Sequence, residues 1–151
     1  ISELVRHAVA RLHHQHSGRR VDCTIVDKAF AGCDPQLIEV VLDNLLGNAW
    51  KFTSERERAQ VEFGTTQHRG RTVYFVRDNG AGFDPVYADR LFLYFQRLHH
   101  PERFPGLGIG LPLVKRIIER HGGQIWAEGR VDEGATFFFT LGQAADPAEP
   151  A

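Results

Sequence analysis

The amino-acid sequence predicts an α+β fold, a two-layer α/β sandwich in which about three main helices cover one face of a mixed, mostly antiparallel sheet. Three observations carry this expectation. Asp34-Pro35 opens a long amphipathic run that lasts to about Phe52. Two strand-like runs, about 60–67 and 71–77, meet at the turn Arg69-Gly70. A second amphipathic run, about 111–121, stops at Gly122-Gly123 and is followed by two more strands, about 124–129 and 135–141. Strands that come in pairs, with helices between the pairs, do not fit the regular alternation of a doubly wound parallel sheet.

Each element has a local reason. Residues 1–16 place Leu4, Val5, Ala8, Val9 and Leu12 at helical spacing. After the Gly18 turn, Val21, Cys23 and Ile25 alternate with Asp22 and Thr24, the pattern of a short strand with one wet face. Asp34 supplies a capping carboxylate, and Pro35 sits where a missing N–H costs nothing. Residues 86–95 read as a short helix and 99–110 as a Pro/Gly-rich loop. Residues 1–142 are expected to form one domain, and the Ala/Pro/acidic stretch 143–151 a disordered tail.

Composition narrows the class. Hydrophobic residues make up 42% and charged residues 25%, which suits a globular domain with one core. A net charge of −1 gives no basic field for nucleic acid. No apolar run approaches the roughly 20 residues of a membrane span, so no membrane contact by this domain is expected. Cys23 and Cys33 form neither a CxxC pair nor a metal-spaced cluster, and read as two thiols in a reducing cytoplasm. The chain contains no Met and begins mid-pattern at Ile1, as a piece of a longer protein does.

The most informative helix is VLDNLLGNAWKF. At about 100° per residue, Asn44, Asn48 and Lys51 lie within about 60° of one another. Ile38, Val41, Leu42, Leu45 and Ala49 fill the neighbouring, core-facing arc. Asn48 taken singly is an ordinary boundary amide bonded to a loop. With Asn44 and Lys51 it makes a polar stripe of a hard oxygen ligand suited to Mg²⁺ and a cation suited to phosphate.

Two glycine-rich segments follow. Asp78-Asn79-Gly80-Ala81-Gly82 ends the apolar strand Val73–Val76 and could be a plain turn. Two alternating glycines would also let a flat ligand approach the backbone, with Asp78 accepting a hydrogen bond from an exocyclic amine. Gly106-Leu107-Gly108-Ile109-Gly110-Leu111 runs straight into the second helix. It lacks the GxGxxG spacing of a dinucleotide fingerprint and the Lys-Ser/Thr of a P-loop. Open N–H groups at a helix N-terminus still favour phosphate. The alternative is a flexible linker.

Taken together and in order, these segments resemble the boxes of the catalytic ATP-binding domain of two-component sensor histidine kinases. That family belongs to a superfamily with gyrase, heat-shock chaperone and mismatch-repair ATPases. NLLGNAWKF resembles the N box, DNGAGFD the first glycine box, LFLYFQRL the phenylalanine box and GLGIGL the second glycine box; HGGQIWAEG and GATFFFTL resemble the closing strands. The segment FQRLH to GLGIGL is phytochrome-like. The resemblance covers about residues 35–141 and implies a Bergerat-type ATP-binding fold with ATP and Mg²⁺ as ligands.

Carried over by position, it implies Asn48 as the Mg²⁺ ligand, with Asn44 and Lys51 facing the phosphates and acting in catalysis. Asp78 becomes the adenine selector, with Gly80 and Gly82 making room for the base. Gly106, Gly108 and Gly110, with Leu107, Ile109 and Leu111 between and after them, form the lid over the triphosphate. Arg97 reaches the γ-phosphate, and Thr136 lines the base pocket. Phe52 closes the N box where many relatives carry Tyr, so a hydroxyl contact to nucleotide is lost.

The ATPase branches carry a Glu one turn before the metal asparagine. Asn44 stands there instead, and an amide is no general base at neutral pH. This favours a kinase whose acceptor supplies the nucleophile. A serine-directed anti-sigma-type kinase and a non-catalytic ATP-binding module remain the alternatives. None of the eight histidines precedes an acid as the family's acceptor does. The chain is therefore expected to bind ATP without labelling itself. Its implied partners are an upstream dimerisation and phosphoacceptor domain, a homodimeric copy of the parent protein and a response-regulator receiver domain.

Overall fold

The computed structural model describes residues 1–93 and 110–142. Within them, α1 (Ser2–Gln15) and β1 (Val21–Ile25) precede α2 (Pro35–Phe52). Strands β2 (Ala59–His68) and β3 (Arg71–Asp78) follow, then a 3₁₀ helix (Pro85–Phe92), α3 (Gly110–Arg120), β4 (Ile125–Arg130) and β5 (Gly134–Phe139). The five strands form one sheet in the order β1-β2-β3-β5-β4. Only β1 and β2 run parallel, as the ends of a unit that crosses over through α2; every other pair is antiparallel. The expected α+β sandwich with a mixed sheet is therefore the observed one.

Pairing register assigns the faces. Val61, Phe63 and Ala59 share a face with Tyr74, Val76 and Asp78, and with Ala135, Phe137 and Phe139. Against this face α2 packs Ile38, Val41, Leu42, Leu45, Leu46, Ala49 and Trp50, all buried. Val114, Ile117 and Ile118 of α3 and Val5, Ala8 and Val9 of α1 join the same core. Burying a Leu, Ile, Val or Phe side chain contributes about 1.5–3 kcal/mol, so this face sets where the helices sit. Tyr74 stacks between Phe63 and Phe139 at 6.4 and 5.3 Å, and its hydroxyl donates to the Phe30 carbonyl. The other face carries Phe75, Phe138, Trp126, Arg77, Glu62 and Thr136.

Helix ends follow the sequence signals. The Asp34 carboxylate accepts from the N–H groups of Gln36 and Leu37. The Asp34 N–H in turn donates to His121 Nε2 at 3.2 Å, while His121 Nδ1 lies 2.9 Å from the Ile117 carbonyl. This pairing places the proton on Nδ1 and ties the end of α3 to the start of α2. Arg69 and Gly70 both adopt positive φ, 51° and 76°, as a two-residue hairpin turn requires. The segment expected as a helix over 86–95 is instead a 3₁₀ helix, capped by Asp84 and closed by i→i+3 bonds at both ends. Residues 94–109 and the expected tail, 143–151, lie outside the described residues.

Asp34→Ala removes the carboxylate that satisfies two open donors of α2. The unfolding free energy from urea titration should fall by about 1 kcal/mol. A loss below a few tenths would mean that His121 and Pro35 hold this end without the cap.

Candidate functional site

The site is built along one edge of α2. Asn44, Asn48, Lys51 and Phe52 are all half-buried, between the core arc and solvent. Asn44 Nδ2 donates to the Val40 carbonyl one turn back at 2.8 Å. That bond fixes its Oδ1, which faces the first residue of α3: a side chain on Gly110 would stand 2.5 Å from it. The polar stripe of α2 therefore meets the N-terminus of α3, where helical N–H groups lack partners. The Asn48 amide has no hydrogen-bond partner among the described residues. Lys51 Nζ lies 4.9 Å from the centre of the Phe52 ring.

At its C-terminal end α2 touches the turn that follows β3. The Phe52 carbonyl accepts from Ala81 N–H at 2.9 Å. A Cβ on Gly80 would lie 2.3 Å from that same carbonyl. Gly82 has φ +62°, and a Cβ there would lie 1.9 Å from the Arg130 carbonyl. Both glycines are thus demanded by the protein's own backbone, a tighter reason than room for a ligand.

Asp78 is 7% exposed. Burial pushes its carboxyl up to about 6, against the lowering effect of hydrogen bonds from the Gly80 and Ala135 N–H groups. Gly80 N lies 2.9 Å from Oδ1. An acid at the mouth of a pocket, ionised at neutral pH but poorly solvated, rewards a donor that reaches it.

Thr136, expected beside the base, is the strand neighbour of the residue that pairs with Asp78. Strand alternation puts Ala135, not Thr136, on the face of Asp78, and pairs Asp78 directly with Ala135. The Thr136 hydroxyl lies on the opposite face and accepts from Arg77 Nε at 3.3 Å. A cleft of about 550 Å³ between the β4–β5 hairpin and the 3₁₀ helix is bordered by Asp78, Phe83, Ala88, Gly129, Ala135 and Thr136. Asn44, Asn48 and Lys51 do not line it. Asp78 borders this cleft, and the turn that follows it bonds the last residue of α2. Leu111 is half-buried in the first turn of α3. Arg97, Gly106, Leu107, Gly108 and Ile109 lie outside the described residues. Among the described residues no group of three His, Cys, Asp or Glu side chains could hold a metal ion.

Two residues escaped the sequence reading. Ala135 donates its N–H to Asp78, and strict alternation in GATFFF already separated it from Thr136. Arg56 bonds the turn carbonyls, and nothing in a charged loop singles it out.

This fold is that of histidine kinase catalytic domains: the catalytic domain of histidine kinase ThkA matches with TM-score 0.76 and 26% identity, over 93% of this chain and 91% of that one. The full-length kinase ShkA, solved in complex with AMPPNP, matches with TM-score 0.75 and 25% identity, over 93% of this chain and 29% of that one. ThkA has also been solved with the response regulator protein TrrA; that match has TM-score 0.73 and 23% identity, over 93% of this chain and 40% of that one.

The chain belongs to the family described as histidine kinase-, DNA gyrase B- and HSP90-like ATPase, whose model matches residues 33–145. Cyanobacterial phytochrome A of Nostoc sp. is 46% identical over 106 residues, 70% of this chain and 14% of that protein. Phytochrome-like protein Cph1 of Synechocystis sp. is 34% identical over 143 residues, 93% of this chain and 19% of that protein. The chain thus spans between a seventh and a fifth of these relatives.

The Asp78 carboxyl is raised from 3.8 to about 6, which makes a sign-definite stability test. The fold disfavours its ionised form, so its penalty vanishes well below pH 4, grows as pH rises and is complete above about pH 7. This group alone makes stability fall as pH rises through that window. The full penalty is roughly 3 kcal/mol, of which about 1 is present at pH 4.5. Asp78→Asn should therefore gain roughly 2 kcal/mol on the wild type between pH 4.5 and 7.5 in urea unfolding. A difference independent of pH would contradict the raised value.

Proposed function

We propose that this domain binds Mg²⁺-ATP and donates its γ-phosphate to a histidine on a dimerisation hairpin outside this chain. It would serve as the catalytic part of a sensor histidine kinase in two-component signalling. The observation that carries this reading is the meeting of Asn44 Oδ1 with Gly110, which joins the α2 stripe to the α3 N-terminus. From Asn44 to Phe52 the helix rises about 12 Å, a length on the scale of a nucleoside triphosphate. The Asn44 end of that span meets the N-terminus of α3, whose open N–H groups favour phosphate. The other touches the turn that presents Asp78, an acceptor-only group that rewards an adenine amine and repels a guanine carbonyl.

Mg²⁺ is usually held by one or two protein oxygens plus the substrate's phosphates. The amide oxygen of Asn48, without a hydrogen-bond partner among the described residues, fits that role. When bound, the ion neutralises phosphate charge during transfer. The chain's own residues then bind and orient: Lys51 offers a charged donor, Asn44 a fixed amide, Asp78 an anchor for the base. Transfer of a phosphoryl group rests on positioning and electrostatics, and no carboxylate occupies position 44 to activate water. The outer-face acids Glu39 and Asp43 are held by Arg11 at 3.3 and 2.7 Å. These features support a kinase over a hydrolase. The homodimeric parent, the receiver-domain partner and a cytoplasmic location belong to the same reading. No described helix is long and apolar enough to cross a membrane.

Asn48→Ala should abolish the gain in ATP affinity that Mg²⁺ confers and leave unfolding free energy within about 0.5 kcal/mol. Calorimetric titration with and without Mg²⁺ reads the first and urea the second. Mg²⁺ dependence equal to the wild type's would remove Asn48 from the metal. Incubated with γ-labelled ATP, the domain alone should stay unlabelled, and a hairpin from its parent should gain acid-labile phosphate when mixed with it. Label on the domain itself would contradict the assignment of the acceptor.

A further inference from the structure

Every backbone polar group from Asn79 to Ala81 has a partner. Asn79 N–H donates to Gln60, Ala81 N–H to Phe52, and the Ala81 carbonyl accepts from Asp132 N–H. Gly80 N–H donates to the Asp78 carboxylate. The two remaining groups are the carbonyls of Asn79 and Gly80, and both accept from one side chain. Arg56 Nε donates to Asn79 O at 2.8 Å, and Nη2 to Gly80 O at 3.1 Å. The same Nη2 also donates to the Asp132 carbonyl, in the β4–β5 hairpin. Asn79 completes the frame through its side chain, accepting from Gln60 N–H and donating to the Arg58 carbonyl.

We infer that Arg56 is a positioning residue for base recognition, holding the Gly80 peptide in the orientation that aims its N–H at the Asp78 carboxylate. The inference rests on the nucleotide reading above and assigns a residue outside the boxes that carry it. The guanidinium is a planar fork, so it can serve three carbonyls from two segments at once; an ammonium cannot reproduce that geometry. Arg56 is itself exposed, and water can take its place at the carbonyls. Its loss should therefore loosen the turn much more than it unfolds the domain. A looser turn weakens the Gly80 N–H bond, which with that of Ala135 holds the Asp78 carboxyl below the value that burial alone would set.

The test uses Arg56→Ala and Arg56→Lys with two independent readouts. The first is the titration midpoint of the Asp78 carboxyl carbon by NMR, in nucleotide-free protein. It should move to higher pH in both variants. The second is the ratio of ATP to GTP affinity by calorimetry at pH 7.5. Affinity for ATP should fall about 5- to 20-fold, part of what a full charge-assisted hydrogen bond contributes, and that for GTP much less. Asp78 midpoints equal to the wild type's overturn the inference, whatever nucleotide binding does. A shifted midpoint in a domain whose wild type binds no ATP upholds the action of Arg56 on Asp78 and removes the nucleotide reading instead. An ATP/GTP ratio unchanged while the midpoint moves overturns the role in base recognition. Full recovery by Lys, in either readout, overturns the fork geometry.

Discussion

Helix α2 has to bury seven side chains in the core while leaving two amides and a lysine half-buried along its edge. Those two demands fix its rotation about its own axis, because the apolar arc and the polar stripe are adjacent on one helix. Once the rotation is set, the positions of both neighbours follow. The stripe's Asn44 comes against the first residue of α3, and the last carbonyls of α2 come against the turn after β3. A change in that rotation would separate the two ends of the site together. The capping at Asp34, the His121 bond and the Arg19 donors to the Trp50 carbonyl and the Thr53 hydroxyl hold the helix at both ends.

The Asp78 carboxylate is the costliest group in this arrangement. Burial opposes its ionisation, and two backbone N–H groups recover only part of the lost solvation. A polar group kept at such expense, at a strand end beside a turn with all its backbone groups bonded, is characteristic of recognition rather than of packing. Rigidity is what makes it effective. A pre-oriented acceptor loses little entropy when a ligand donor arrives.

Much of the fold was legible because its signals are local. Asp34-Pro35, Arg69-Gly70 and Gly122-Gly123 each encode a backbone requirement that the structure meets within a residue or two. The stripe on α2 was legible for the same reason, since helical periodicity alone puts Asn44, Asn48 and Lys51 together. What required three dimensions was register. That Asp78 faces Ala135, with Thr136 one position along on the other face, depends on how β3 meets β5 across an intervening helix pair. Arg56 was invisible because its partners are backbone carbonyls brought together from distant segments. The glycines of the first box were found for one reason and are needed for another: the Phe52 and Arg130 carbonyls fill the space that side chains would take.

The central claim is that one nucleotide spans α2, with its base at Asp78 and its phosphates at Asn48 and the α3 N-terminus. An experimental structure of the domain with Mg²⁺ and a non-hydrolysable ATP analogue tests it most directly. The account predicts the adenine amine within hydrogen-bond distance of the Asp78 carboxylate and the metal on the Asn48 amide oxygen. A nucleotide seated wholly in the cleft beneath the β4–β5 hairpin, with Asn48 untouched, would contradict it.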